Sequence, residues 1–224
     1  MNIKNLCWGL FACVMFTGCA STREHWDYTA FKNAAPHSIL VAMPPSHSND
    51  VNSGPAVLAS VVLPLSEAGY YVIPVTMANE TFKLNGVVDA TEIRNVPLNK
   101  IKEVFGVDAI IYLTINEYKT HYTLVDSYFR ESVTAELVDV TDGTVLWSVT
   151  SMASNATGGG GNGLTALLTA LIKLAINEAK EVGYDVSIRN SYHMFTPDNF
   201  YMFNPFLFGP YSPKYRKDRI LNIK

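Results

Sequence analysis

The sequence predicts an α/β domain: a mixed sheet in three or two layers with flanking helices, in the order β-α-β-α-β-β-β-α, ending in an irregular, aromatic-rich C-terminal tail. Three observations predict it. Two short apolar runs, residues 38–43 and 70–75, are separated by a stretch with helical apolar spacing, which implies parallel pairing through a helical crossover. Residues 108–152 instead form long segments joined by "TDGT", a hairpin signal that implies antiparallel pairing. A third stretch, "GNGLTALLTALIKLAIN", carries one apolar stripe, as a helix laid against a sheet requires.

Each element has a local reason. "SILVAM" is a short apolar run with β-branched content, stopped by Pro44 and Pro45, and reads as a buried strand. The loop "PPSHSNDVNSG" is nearly all turn formers. Gly54-Pro55 opens a helix, because proline suits the first helical position, where its missing N–H costs nothing. Val57, Leu58, Val61 and Leu65 form its apolar face; Pro64 bends or restarts it and Gly69 ends it. "YYVIPV" is the second strand, with Pro74 at an edge or bulge. Residues 78–105 read as helical pieces, the clearest opened by Pro97 and stopped by Gly106.

The third strand begins apolar on both faces in "DAIIYLTINEYKTHYTLV", as a central strand does, and turns to alternation beyond the sheet. "YFRESVTAELVDV" places Phe129, Val133, Ala135 and Leu137 on one face, and "TVLWSVTSM" pairs back after Asp142-Gly143. In the last helix Leu164, Leu167, Leu168, Leu171, Ala175, Ile176 and Ala179 face Thr165, Thr169, Lys173, Asn177 and Lys180 across the axis.

The N-terminus sets the expected address. Residues 1–18 have a positive start at Lys4, an apolar core of "LCWGLFACVMF" and small residues at Thr17 and Gly18. Those are the parts of an export signal, and the core is shorter than the roughly 20 residues a membrane-spanning helix needs. Cys19 stands at the expected cut, which resembles the bacterial lipobox; that resemblance implies acylation of Cys19 and removal of the signal before it. Acyl chains each contribute roughly 0.8 kcal/mol per buried CH₂, so anchoring through several of them is effectively permanent. Ala20 follows where the sorting rule known for such lipoproteins places an inner-membrane Asp, so the expected site is the periplasmic face of the outer membrane, with surface exposure left open. Cys7 and Cys13 leave with the signal, so no disulfide framework is expected and the core alone must hold the domain. Residues 19–37 read as a tether, 38–187 as the α/β domain and 188–224 as the C-terminal extension.

Composition fits this picture. With 48% hydrophobic and 17% charged residues the chain has material for a core and too little charge for disorder. A net charge of −3 removes the usual electrostatic case for nucleic acid.

The segments "VAMPPSHSNDVNSGPAVLASVVLPLSEAGYYVIPV", "LNKIKEVFGVDAIIYLTINEY" and "ELVDVTDGTVLWS" resemble an uncharacterised family of Gram-negative lipoproteins. More distantly the chain is similar to the curli-secretion lipoprotein group and to the N-terminal domain of the Tol-system β-propeller protein. The resemblance implies an envelope lipoprotein acting as an accessory or scaffold subunit of an export or assembly complex. Other envelope lipoproteins are its expected partners, self-association is open, and the family offers no catalytic residues to carry over. Arg130 and Glu131 on the hairpin argue against a pore-forming subunit.

Three places invite a site. Ser46-His47-Ser48-Asn49-Asp50 holds the residue types of a hydrolase triad, but a triad is gathered from separate segments with its nucleophile on a rigid turn. The bland reading is turn and cap chemistry. The alternatives are a periplasmic hydrolase using His47, or a small-ligand-binding loop at 44–54, where α/β folds bind at strand ends. "GGGGNG" before a helix suggests anion binding, but the Lys-Ser/Thr pair of a nucleotide loop is missing. The five histidines lack metal spacing, so no metal, cofactor or catalytic residue is expected. The third place is the tail, with Phe200, Tyr201, Phe203, Phe206 and Phe208 among prolines and a basic end. Either it folds back over its own domain, or it docks on a partner subunit or the membrane interface. His47, Asn49, Asp50 and those five aromatics are the expected interaction residues.

Overall fold

The structure, a computed structural model, describes residues 26–122, 127–156 and 182–222. Cys19, the glycine run at 158–161 and the helix expected over 164–179 lie outside the described residues. Within them the chain forms α1 (Thr29–Ala34), β1 (Ser38–Val41), α2 (Ser53–Ser60), α3 (Val62–Glu67), β2 (Tyr71–Val72), α4 (Val75–Leu84), α5 (Ala90–Ile93), α6 (Leu98–Phe105), β3 (Ala109–Tyr122), β4 (Ser127–Asp139), β5 (Val145–Ser154) and α7 (Val182–Phe195).

One five-stranded sheet has the order β2-β1-β3-β4-β5. β2, β1 and β3 are parallel, and β3, β4 and β5 are antiparallel. The mixed sheet expected from crossovers followed by hairpins is therefore the one observed. Because β3 is central, its side chains feed two cores. Ala109, Ile111, Leu113 and Ile115 face α2, α3 and α7, while Ile110 and Tyr112 face α4, α5 and α6. Helices on both faces make three layers, which is why β3 starts apolar on both sides.

Local chemistry explains the boundaries. A turn at Val61 divides α2 from α3, since Pro64 has no N–H to bond the Ser60 carbonyl. Val57, Leu58, Val61 and Leu65 are all buried, as their spacing predicts. The strand expected at 70–75 is only two residues long, because Pro74, at φ −53°, caps α4 instead of pairing. Pro97 caps α6, and Gly106, at φ +65°, ends it with its amide donating to Lys102 O at 2.9 Å. The β4–β5 turn runs through Gly143 at φ +79°.

The chain on either side of this unit packs into it. Tyr28 and Phe31 are buried before β1, and α7 runs unbroken through residues 187–188. The tail folds back without forming a strand. Instead, aromatic donors on the domain hold its carbonyls: Trp147 Nε1 donates to Asn204 O (3.1 Å), Tyr28 Oη to Pro205 O (2.7 Å) and Tyr70 Oη to Leu207 O (3.0 Å). A buried carbonyl needs a partner, and these rings supply both the partner and apolar cover. Further on, Gly209 N donates to Ala68 O at 2.8 Å and Tyr211 N to Gly69 O at 3.0 Å. Gly69 has φ +98°, and a Cβ there would lie 2.5 Å from Ser212 N, so this close crossing requires glycine.

Candidate functional site

The loop after β1 is built onto the end of β3. Ile115 N donates to Pro45 O (3.1 Å), His47 N donates to Ile115 O (3.3 Å), and Ser48 Oγ donates to Tyr118 O (2.7 Å). Short side chains fix the rest: Asp50 Oδ1 accepts from Asn52 N at 2.9 Å, and Ser53 Oγ donates to Asp50 O at 2.7 Å. Ser46 Oγ accepts from Ser48 N at 3.0 Å and lies 2.9 Å from Ser53 Oγ, which is free to accept the Ser46 proton. The serine hydroxyls thus serve the shape of the loop, as Asx- and ST-turn chemistry predicts, and their bonds go to the loop and to β3 rather than to His47. His47, Asn49 and Asp50 stand exposed on the rim.

Opposite them lies the outer part of the β3–β4 hairpin. His121 Nε2 pairs with Glu117 Oε1 at 2.5 Å and Lys119 Nζ lies 3.6 Å from the same oxygen. His121 stacks on Tyr128 at 5.1 Å, with Arg130 5.3 Å from that ring. Partial burial pushes the Glu117 carboxyl up, but its hydrogen bond and charge contact with His121, helped by Lys119 and Arg130, hold it below the ordinary glutamate range. Loop and hairpin enclose an open groove of about 550 Å³ lined by His47, Asn49, Asp50, Asn116, Lys119 and Tyr122. The groove offers charges of both signs, amides and a phenol; that lining suits recognition of a polar, extended surface. Among the described residues no cluster of His, Cys, Asp or Glu could hold a metal ion.

The sequence reading missed Glu131. It sits on the same β4 face as Phe129 and Val133 and is 0% exposed. Asn190 Nδ2 donates to its Oε1 at 2.8 Å, and Ser187 Oγ makes a short contact with its Oε2. Burial pushes its carboxyl above the ordinary range, with the two hydrogen bonds pulling the other way. Ser187 Oγ also lies 3.0 Å from Gly183 O, and one hydroxyl proton cannot serve both neighbours. The protonated form of Glu131, which burial favours, satisfies both neighbours: its O–H donates to Ser187 Oγ, and Ser187 donates to the Gly183 carbonyl. The period-two alternation of β4 held this signal, because it places residue 131 inward whatever its charge.

The aromatic tail divides in two. Phe206 is 0% exposed and lies between Phe31, Tyr70, Trp147 and Phe195, so it belongs to the core rather than to an interaction surface. Phe208 is half-buried, with Lys214 Nζ 5.4 Å from its ring. Phe200, Tyr201 and Phe203 stay exposed. They lie near the C-terminal end of α7, at the end of the sheet where β5 begins. The groove lies at the other end of β3, between the loop residues His47 and Asp50 and strand residues 116–122.

This arrangement defines a class: a three-layer α/β domain with its N-terminal lead at one end of a mixed sheet and a polar groove at the other. The chain belongs to the lipoprotein family whose model is described as "Putative lipoprotein GNA1162-like", which matches residues 26–211. It is 40% identical over 210 residues to the putative lipoprotein NMB1124/NMB1162 of Neisseria meningitidis serogroup B, covering 93% of this chain and 96% of that one. The crystal structure of lipoprotein GNA1162 from Neisseria meningitidis superposes with a TM-score of 0.52 at 40% identity, over 64% of this chain and 99% of that one. No helix among the described residues is long and apolar enough to cross a membrane.

Proposed function

We propose that the protein is a lipoprotein anchored through Cys19 to the periplasmic face of the outer membrane. It works there as a non-enzymatic scaffold or accessory subunit of an envelope export or assembly complex. The observation that carries this reading is polarity of form. Trp26, the first described residue, is fixed near the start of β5, where its Nε1 donates to Leu146 O at 2.8 Å. The groove formed by the 44–54 loop and the hairpin lies at the opposite end of β3, a strand of 14 residues and so about 45 Å long. A lipid on the tether therefore presents the groove away from the bilayer, toward other envelope components.

The anchor is tested by Cys19→Ser followed by membrane fractionation and detergent partitioning. The wild type is expected to lose its signal, enter the detergent phase and band with outer membrane. The variant is expected to keep the signal and leave the detergent phase. Unchanged processing and partitioning of the variant would overturn the reading.

A further inference from the structure

The exposed aromatic turn is not a loose end. Asn199 Nδ2 donates to His193 O at 2.8 Å and Asn199 Oδ1 accepts from Tyr201 N at 3.0 Å, which closes the turn. Arg219 N donates to Asp198 Oδ1 at 2.7 Å, and the Arg219 guanidinium lies 4.6 Å from the Phe200 ring. Tyr201 stacks on His193 with centroids 6.0 Å apart. Phe200 is nevertheless 81% and Tyr201 86% exposed. A turn this well held that points two large rings outward is a surface built for contact, because soluble domains avoid adjoining exposed apolar groups.

The chain itself indicates what covers it. Asn204 Oδ1, three residues beyond Tyr201, accepts from Trp26 N at 2.9 Å, which ties the tether to the aromatic turn. Only six residues lie between Cys19 and Trp26, and the seven Cα–Cα steps that join them span at most about 25 Å. An acylated Cys19 therefore holds the bilayer surface within that reach of Trp26 and of Asn204, the residue that joins the tether to the aromatic turn. Aromatic rings with a polar edge and nearby guanidinium groups suit the headgroup region, where rings meet the acyl boundary and cations meet phosphate. Arg219 touches Phe200, and Arg216 and Lys217 are exposed in the same basic segment.

We infer that Phe200, Tyr201 and Phe203, with Trp26 and Arg219, form a second membrane contact, which seats the domain on the phospholipid interface beside its own lipid anchor. This rests on the anchoring reading above. Two contacts at one end fix the orientation of the domain, so the groove projects outward rather than swinging on a tether.

The test uses the acylated mature chain in vesicles of phosphatidylethanolamine and phosphatidylglycerol. Its cysteines other than Cys19 leave with the signal, so a nitroxide can be placed at Tyr201→Cys and, as a control at the groove end, at Val51→Cys. Both positions are more than 80% exposed, so neither substitution disturbs the core; at 201 only the stacking on His193 is given up. The expected result is a ratio of oxygen to nickel-complex collision rates at least threefold higher at 201 than at 51. Equal ratios on protein that floats with the vesicles overturn this contact and leave the anchor intact. Protein that fails to float overturns both readings.

Discussion

Replacing Phe206 with alanine lowers the stability of the domain by about 3–5 kcal/mol, as expected for an aromatic side chain removed from a filled core. The ring is fully buried and lies 4.8 Å from Trp147, 5.3 Å from Tyr70 and 5.4 Å from both Phe31 and Phe195. It is the joint between the segment before β1, the sheet, α7 and the tail. Its loss also loosens the carbonyls of Asn204, Pro205 and Leu207 from their aromatic donors. Urea unfolding measures the change, with Tyr201→Ser as a surface control expected to stay within about 0.5 kcal/mol. A Phe206→Ala loss below about 1 kcal/mol would mean that the tail is not part of the fold.

Glu131 gives the second large effect, and the two substitutions there have opposite signs. Glu131→Ala opens a cavity and strips Asn190 and Ser187 of a partner, costing about 3 kcal/mol. Glu131→Gln keeps the shape: its amide donates to Ser187 Oγ, and its carbonyl accepts from Asn190 Nδ2. The pH dependence follows from the raised carboxyl. Folding favours the protonated acid, so this stabilisation is complete below the ordinary glutamate pKa and is lost as pH rises through the folded value. Asp218, also raised chiefly by burial, acts in the same direction, while Asp108 and Glu117, both lowered, act in the other. The informative quantity is thus the difference between Glu131→Gln and the wild type. It is expected to grow in favour of the glutamine variant as pH rises from 4 to 7. A constant difference across that range would show that folding does not raise the Glu131 pKa.

Much of the sheet was legible because strands and helices announce themselves by periodicity. The alternation of Phe129, Val133, Ala135 and Leu137, the apolar start of β3, and Pro97 and Gly106 around α6 all lead directly to the observed elements. The failures have physical causes. Tyr70–Val75 has strand composition, yet Pro74 lacks a donor and has a φ suited to starting a helix, so pairing stops at Val72. Glu131 enters the sequence reading only as a charge that argues against a pore-forming subunit, although its position in the alternation faces it inward. The tail has no period at all. Nothing in a proline-rich segment distinguishes Phe206, which fills the core, from Phe200, which is exposed on the domain; that choice is made by Trp147, Tyr28 and Tyr70, distant in sequence. The loop residues His47, Asn49 and Asp50 could be read as a turn-rich loop at a strand end. Glu117 and His121 share one face of β3, as the alternation implies, but that this face stands across from the 44–54 loop is decided by the parallel packing of that loop onto β3.

Site-specific photo-crosslinking from Asn49 in intact cells tests the central claim most directly, since Asn49 stands on the groove rim at the end remote from the tether. The account predicts a discrete, light-dependent adduct whose second component is an envelope protein, absent from a probe at the exposed Leu84 and lost in Cys19→Ser. No adduct from Asn49, or the same adduct from Leu84, would contradict a lipid-anchored scaffold that recognises its partner through the groove.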